Sequence, residues 1–234
     1  MNHKTLLAFV AAFAAAAPAL SYADVAFNVG VISDYRYRGI SQTRLKPALQ
    51  GGIDYSNGPF YAGAWASTIK WIKDAGGDAG LELDLYGGYK GEITKGLGYD
   101  IGLLTYQYPS NKLSPSANTT ELYAALTYGP VTAKYSHSIS NLFGFADSKG
   151  SGYFDVAATF ELTGGWMLTP HIGRQTVKNS GAASYTDASL SLSKDFSGWV
   201  VSAAAVDAKT GAYFGPGAKD LGKRSLVAGV KYNF

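Results

Sequence analysis

LELDLYGGYK, residues 81–90, is the stretch that decides the fold. Read in steps of two, Leu81, Leu83, Leu85, Gly87 and Tyr89 fall together, and Glu82, Asp84, Tyr86, Gly88 and Lys90 fall together. A period of two with one apolar face is a β-strand with its two faces in different surroundings. The same division recurs at 153–162, where Phe154, Val156, Ala158, Phe160 and Leu162 oppose Asp155 and Glu161, and at 225–234, where Leu226, Ala228, Val230, Tyr232 and Phe234 oppose Lys231 and Asn233. Working outward in both directions gives about twelve such segments, near 25–38, 48–55, 60–71, 79–89, 97–108, 119–128, 131–139, 153–162, 166–175, 185–194, 199–207 and 224–234. Neither face of 60–71 is clearly apolar, and 199–207 is equally ambiguous, so their registers are weakly specified.

The connections alternate in length. Those at 56–59, 129–130, 163–165 and 195–198 are turn-sized and rich in Gly, Pro, Asn and Ser, as tight hairpins require. Those near 39–47, 72–78, 109–118, 140–152, 176–184 and 208–223 are long. Short turns at one end and long loops at the other predict an all-β, antiparallel, up-and-down transmembrane barrel. A closed barrel of about twelve strands encloses more space than its side chains fill, since about eight is the size that packs solid. A water-filled lumen also solvates the ionisable groups on the polar faces: Asp34, Arg36, Arg38, Asp54, Glu82, Asp84, Asp100, Glu121, Lys134, Asp155 and Lys231, which we read as pore-lining. Tyr35, Tyr37, Tyr55, Trp71, Tyr89, Tyr99, Tyr128, Trp166, Trp199 and Tyr232 lie at strand ends, where a membrane barrel carries its aromatic girdles.

Composition agrees. The 234 residues include 29 Gly and 17 Tyr, which starve helices and suit strands, and 47% are hydrophobic, which excludes a disordered chain. A net charge of +3 without any block of five or more like charges gives no footprint for nucleic acid. The absence of cysteine removes disulfides, zinc–cysteine sites, iron–sulfur clusters and thiol chemistry. Residues 1–23 read as a cleaved signal peptide, with His3 and Lys4 before an apolar run from Leu6 to Ala17, then Pro18 and a small-residue site ending at Ala23. That run is shorter than the roughly 20 residues a spanning helix needs. Residues 24–234 are then the exported barrel domain.

The stretch from Asn28 to Ser67, densest in likeness at SDYRYRGISQT (33–43) and GGIDY (51–55), resembles the N-terminal signature of the TorF-family porins. The last residues, VAGVKYNF, resemble an outer-membrane assembly signal, with Val230, Tyr232 and Phe234 at alternate positions. The resemblance implies an outer-membrane location and a porin-like role. It supplies no catalytic residues.

Candidate chemistry is sparse. His137 is flanked by Ser136 and Ser138, which point to the opposite face of a strand, and His171 has no carboxylate close in sequence. Gly76-Gly77 and Gly87-Gly88 lack a phosphate-loop context, and Asp74 and Asp78 are too few for a calcium cage. No cofactor, metal site or enzyme activity is therefore expected. The reading is a channel for passive diffusion of small hydrophilic solutes or ions. The alternatives are a narrow or closed barrel serving structure, adhesion or surface binding, and an outer-membrane lipid-modifying enzyme. Expected partners are outer-membrane lipid and lipopolysaccharide, the barrel-assembly machinery through the C-terminal strand, and the solutes. Arg36 and Arg38 are expected on the inner face of the first strand, setting a weak ion selectivity. The long connections sum to a basic mouth and the strands to a mildly acidic barrel.

Overall fold

The computed structural model describes residues 24–234; the signal peptide read over residues 1–23 lies outside the described residues. Twelve long strands run in chain order: β1 (Asp24–Ile32), β2 (Ala48–Asn57), β3 (Phe60–Thr68), β4 (Leu81–Thr94), β5 (Leu97–Gln107) and β6 (Thr119–Tyr128). There follow β7 (Val131–Ser138), β8 (Gly152–Ala158, resumed over Phe160–Leu162), β9 (Trp166–Thr176), β10 (Tyr185–Phe196), β11 (Trp199–Lys209) and β12 (Ser225–Asn233). Each strand pairs antiparallel with its chain neighbours, and β1 pairs with β12 in the register Asn28–Asn233 to Ile32–Gly229, which closes the ring. β8 is broken only at Thr159, and both of its pieces pair with β9.

The strand ends of the sequence reading are corrected in three places, the fourth strand running on to Thr94 rather than ending at 89. The first strand stops at Ile32 rather than running to 38, and the third stops at Thr68, after which Trp71–Asp74 form a single helical turn that buries Ile72 completely. Among the described residues Asp24, Phe234 and the five short turns share one end, and the six long connections share the other.

Alternation sorts side chains as a barrel requires. Val25, Val29, Ile53, Leu85, Ile101, Leu122, Ile172, Leu190 and Val230 stand exposed on the outer wall. An encircling belt of this kind is far larger than the few hundred Å² of contiguous apolar surface that a soluble monomer tolerates. Outward apolar residues and inward ionisable ones are the arrangement of a membrane barrel. At the short-turn end, Phe60 packs edge-on to Tyr89, Tyr89 stacks on Tyr99, and Trp199 meets Tyr232, forming the aromatic rim there. Three residues expected in the rims are not there. Tyr35 is 8% exposed in an internal cluster, and Tyr37 and Trp71 pack against the same cluster. The segments carrying them turn into the barrel mouth instead of continuing along the wall.

The dry packing sits at the long-loop end. Tyr35, Ala48, Ile69, Ile72, Ala79, Tyr106, Tyr108 and Ala117 form one buried cluster. Ile40, Tyr185, Ala208 and Leu221 form a second, and Leu142, Val177 and Ala183 a third.

Candidate functional site

The connection after β1 folds into the mouth of the barrel. Arg36–Tyr37 and Ile40–Ser41 pair as a miniature hairpin whose two central residues, Arg38 and Gly39, have φ of 47° and 81°. Positive φ at both central positions is the turn whose twist fits a two-residue hairpin. Glycine takes it freely; arginine does so only when other contacts hold it. At Gly39 a side chain would also meet the Cβ atoms of Asp187 at 2.7 Å and Ala208 at 2.9 Å, so the hairpin tip abuts the β10–β11 wall.

What holds Arg38 is a set of side chains from β6, β8 and β9. Its guanidinium donates to both Glu121 carboxylate oxygens, at 3.0 and 2.7 Å, and to Gln175 Oε1 at 2.7 Å, and it lies 4.2 Å from the Tyr153 ring centroid. The Arg38 and Glu121 side chains are 7% and 2% exposed. This is a planar fork on a carboxylate, the geometry in which an ion pair best offsets its desolvation. Arg36 donates to Asp34 at 2.7 Å, to the Gly39 carbonyl at 2.9 Å and to Ser225 Oγ on β12 at 2.8 Å. Asp34 also accepts from Ser41 and Thr43. Tyr35 donates to Glu82 on β4, and the Tyr37 and Tyr106 hydroxyls share a bond of 2.5 Å. Backbone bonds fasten the base of the loop, from Lys70 and Trp71 to the Gln42 carbonyl and from Ser41 to the Leu221 carbonyl. The ladder expected along the first strand is therefore corrected: Asp34, Arg36 and Arg38 belong to a plug bonded to β4, β5, β6, β9 and β12.

Below the plug the inward positions alternate carboxylates with tyrosines. Asp54 accepts from Tyr86 at 2.5 Å and Asp100 from Tyr61 at 2.6 Å, while Lys134 sits 4.1 Å over the Tyr123 ring. Lys231 faces inward beside Gly30. Asp84 and Asp100 each keep one buried carboxylate oxygen without a hydrogen-bond partner. Asp155 lies 3.7 Å from His171 Nε2, Asp187 lies 3.7 Å from Nδ1, and the Tyr153 hydroxyl is 3.0 Å from Asp187. So His171, which has no carboxylate near it in sequence, is given two by the β8–β9–β10 pairing. His137 points to the outer face beside Tyr135. On the final strand Val230 is 43% and Phe234 70% exposed, so these members of the C-terminal pattern face outward.

The sequence reading passed over the tyrosines. Tyr61, Tyr86, Tyr123 and Tyr153 lie across Gly88, Gly63, Gly102 and Gly173 of their neighbours, and the missing side chains make room for the rings inside the lumen. Inward Gly opposite inward Tyr was the available signal. It becomes visible only once the register is known. Gly88→Ala would bring a Cβ to 2.6 Å from the Ile101 carbonyl and into the Tyr61 ring. Overpacking of this kind is expected to lower unfolding stability by about 1–3 kcal/mol in a urea titration in lipid vesicles, and Tyr61→Ala in the same chain should recover part of it. An unchanged midpoint for Gly88→Ala would show that the ring is not confined there.

At the long-loop end four of the loop charges form two ion pairs. Arg44 binds Asp74, and Lys112 lies 3.0 Å from Asp78, holding that carboxyl below its ordinary range. Among the described residues no group of three or more His, Asp or Glu side chains is placed to hold a metal ion.

A family model described as a bacterial protein of unknown function, Gcw_chp, matches residues 15–234. No curated protein matches the chain. Among solved structures, a NanC porin aligns with a TM-score of 0.56 at 13% identity, covering 89% of this chain and 99% of that one. A membrane protein crystallised in meso aligns at 0.50 and 6% identity, covering 90% and 83%. At these identities the likeness is one of fold.

Proposed function

The chain belongs to the Gcw_chp family, and we propose that it is an outer-membrane, porin-like channel for small hydrophilic solutes or ions, narrowed at its outer mouth by the loop of residues 33–47. One observation carries this reading: a closed twelve-stranded ring with an apolar outer wall and an inner wall of Asp54, Asp84, Asp100, Lys134, Asp155 and Lys231. Inward charge in a barrel is functional by default, because rings of charge set what passes. The TorF-family porin likeness is part of this reading, since its densest stretch, 33–43, is the plug itself. The short-turn end would face the periplasm, as in outer-membrane barrels generally, with residues 1–23 serving as the export signal and Val230, Tyr232 and Phe234 as the pattern read by the assembly machinery.

The plug favours a second reading, a barrel that is closed at rest and displays its long loops to a partner. Arg38 spans from the plug to Glu121 with both side chains buried, which an open pore does not require. Planar-bilayer recordings of the purified protein separate the two. Steady conductance in the unmodified chain supports the channel, and none at any voltage supports the closed barrel. Orientation is tested separately. Cysteines replacing the exposed Lys149 and Lys178 should react with an impermeant maleimide on intact cells, and one replacing Lys95 in a short turn should react only after permeabilisation. The opposite pattern would reverse the topology.

A further inference from the structure

Above the plug lies a cavity of about 280 Å³ at the outer mouth. Its floor is Tyr37 and Ile40 of the hairpin, and its walls come from the helical turn at Trp71, the 139–151 loop with Phe143 and Phe145, and the 210–224 loop with Tyr213. Of its seventeen lining residues eight are aromatic and five more are Ile, Leu or Ala, leaving Ser41, Gln42, Asp74 and Gln175 as the polar ones.

Ser41, Asp74 and Gln175 are already engaged and Gln42 is engaged through its amide nitrogen, while the buried indole N–H of Trp71 has no hydrogen-bond partner. Ser41 Oγ donates to Asp34 and accepts from the Leu45 amide. Gln175 accepts from Arg38 and donates to the Gly152 carbonyl at 3.1 Å, Gln42 donates to the Ile40 carbonyl, and both Asp74 oxygens accept from Arg44. A sugar or a charged solute would surrender its hydration to a wall with little hydrogen bonding to return, and an uncompensated hydroxyl costs roughly 1–3 kcal/mol in a protein. An apolar ring loses nothing by entering and meets aromatic edges and faces on several sides. Size points the same way, since a dry apolar cavity of about 150 Å³ accepts benzene, and this one has room for two fused rings.

We infer that the mouth is a binding site for a small, uncharged, ring-bearing apolar compound, and that it is distinct from the charged lumen beneath it. The wall is built by design of packing rather than left between mobile loops. Tyr213 donates to the Ala183 carbonyl at 3.0 Å and packs edge-on to Tyr185 and Phe145, while Tyr37 packs on Phe143 and Trp71 on Tyr108. The site does not depend on conduction. It also gives the closed-barrel reading a ligand class, because its floor is the plug.

The test uses the full barrel in detergent micelles with 1-nitronaphthalene, an uncharged two-ring quencher of indole fluorescence. Trp71 lines the cavity, and the other three tryptophans do not. Subtracting the signal of Trp71→Phe, which keeps an aromatic wall, isolates Trp71. Saturable quenching of that component is expected, with affinity at least tenfold weaker in Ala212→Phe, a substitution on an exposed loop residue that fills the cavity from its rim. Glucose should not displace the probe. Linear quenching that is the same in both chains would mean partition into the micelle and overturn the site, and displacement by glucose would overturn the ligand class. A barrel that binds the probe and conducts nothing would refute the channel reading alone, so the two failures remain distinguishable.

Discussion

Replacing Arg38 with Ala is expected to raise single-channel conductance several-fold, and to do so without unfolding the barrel. The substitution removes the cation from the buried Glu121 carboxylate, and breaking one side of a buried pair costs about 3–5 kcal/mol because the remaining charge stays desolvated. The strand ladder carries none of that cost, since β1 to β12 close through backbone pairing that does not involve residue 38. It falls on the docked state of the 33–47 loop, which also loses the constraint holding residue 38 at a φ of 47°. At 1.4 kcal/mol per factor of ten, the undocked population should rise by roughly two to three orders of magnitude. Planar-bilayer recording reads this as longer and larger openings, and a gel shift between heated and unheated samples confirms a folded barrel. Glu121→Gln keeps an acceptor and removes the charge, so its conductance should fall between the two. A folded Arg38→Ala barrel with unaltered conductance would show that the plug does not control passage. Arg36 and Arg38 are 4% and 7% exposed in ion pairs, so they shape the mouth before they steer any ion.

The second large effect concerns the wall. Leu190 sits halfway along β10, 50% exposed on the outer face, paired with Pro170 and Ala205. Its neighbour Ser189 points inward opposite His171. Arg at a lipid-facing position near the bilayer midplane costs about 2–4 kcal/mol, and the cost falls toward the interfaces. Leu190→Arg should therefore lose about that much stability in urea titrations of the protein in phosphatidylcholine vesicles, whereas Ser189→Arg, which enters a lumen beside Asp155 and Asp187, should stay within about 1 kcal/mol. Equal losses for both would contradict an outer wall in contact with lipid.

Much of this architecture was legible in the chain. At residues 81–90 every apolar side chain at an odd position is on the outer wall, and Glu82 and Asp84 are inside, because side-chain direction in a strand is set by the residue's own backbone and its two neighbours. Long loops and short turns follow in the same local way from Gly, Pro and Asn placement, so strand number, antiparallel order and the common end for both termini were all within reach. Ambiguity was confined to 60–71 and 199–207; at the first, Ala62, Gly63 and Ala64 give neither face an apolar excess and pairing with β2 and β4 decides, and at the second pairing with β10 and β12 decides.

The plug was not legible, and its residues show why. Asp34, Arg36 and Arg38 alternate with Tyr35 and Tyr37 as a strand would, so the local pattern continues β1 without a break. The strand nevertheless ends at Ile32, and the segment beyond it folds back through a left-handed turn at Arg38-Gly39 whose cost is met by Glu121, Gln175 and Tyr153, residues supplied by β6, β9 and β8. The same holds for His171 between Asp155 and Asp187 and for each tyrosine lying over a glycine of the next strand. The sequence by itself determined which way each strand side chain faces and how the strands follow one another, since both are near-neighbour properties of the backbone. Which inward groups meet across the lumen, and that a loop rather than water occupies the mouth, was decided only by ring closure and register, which bring together residues whose separation along the chain carries no local signal.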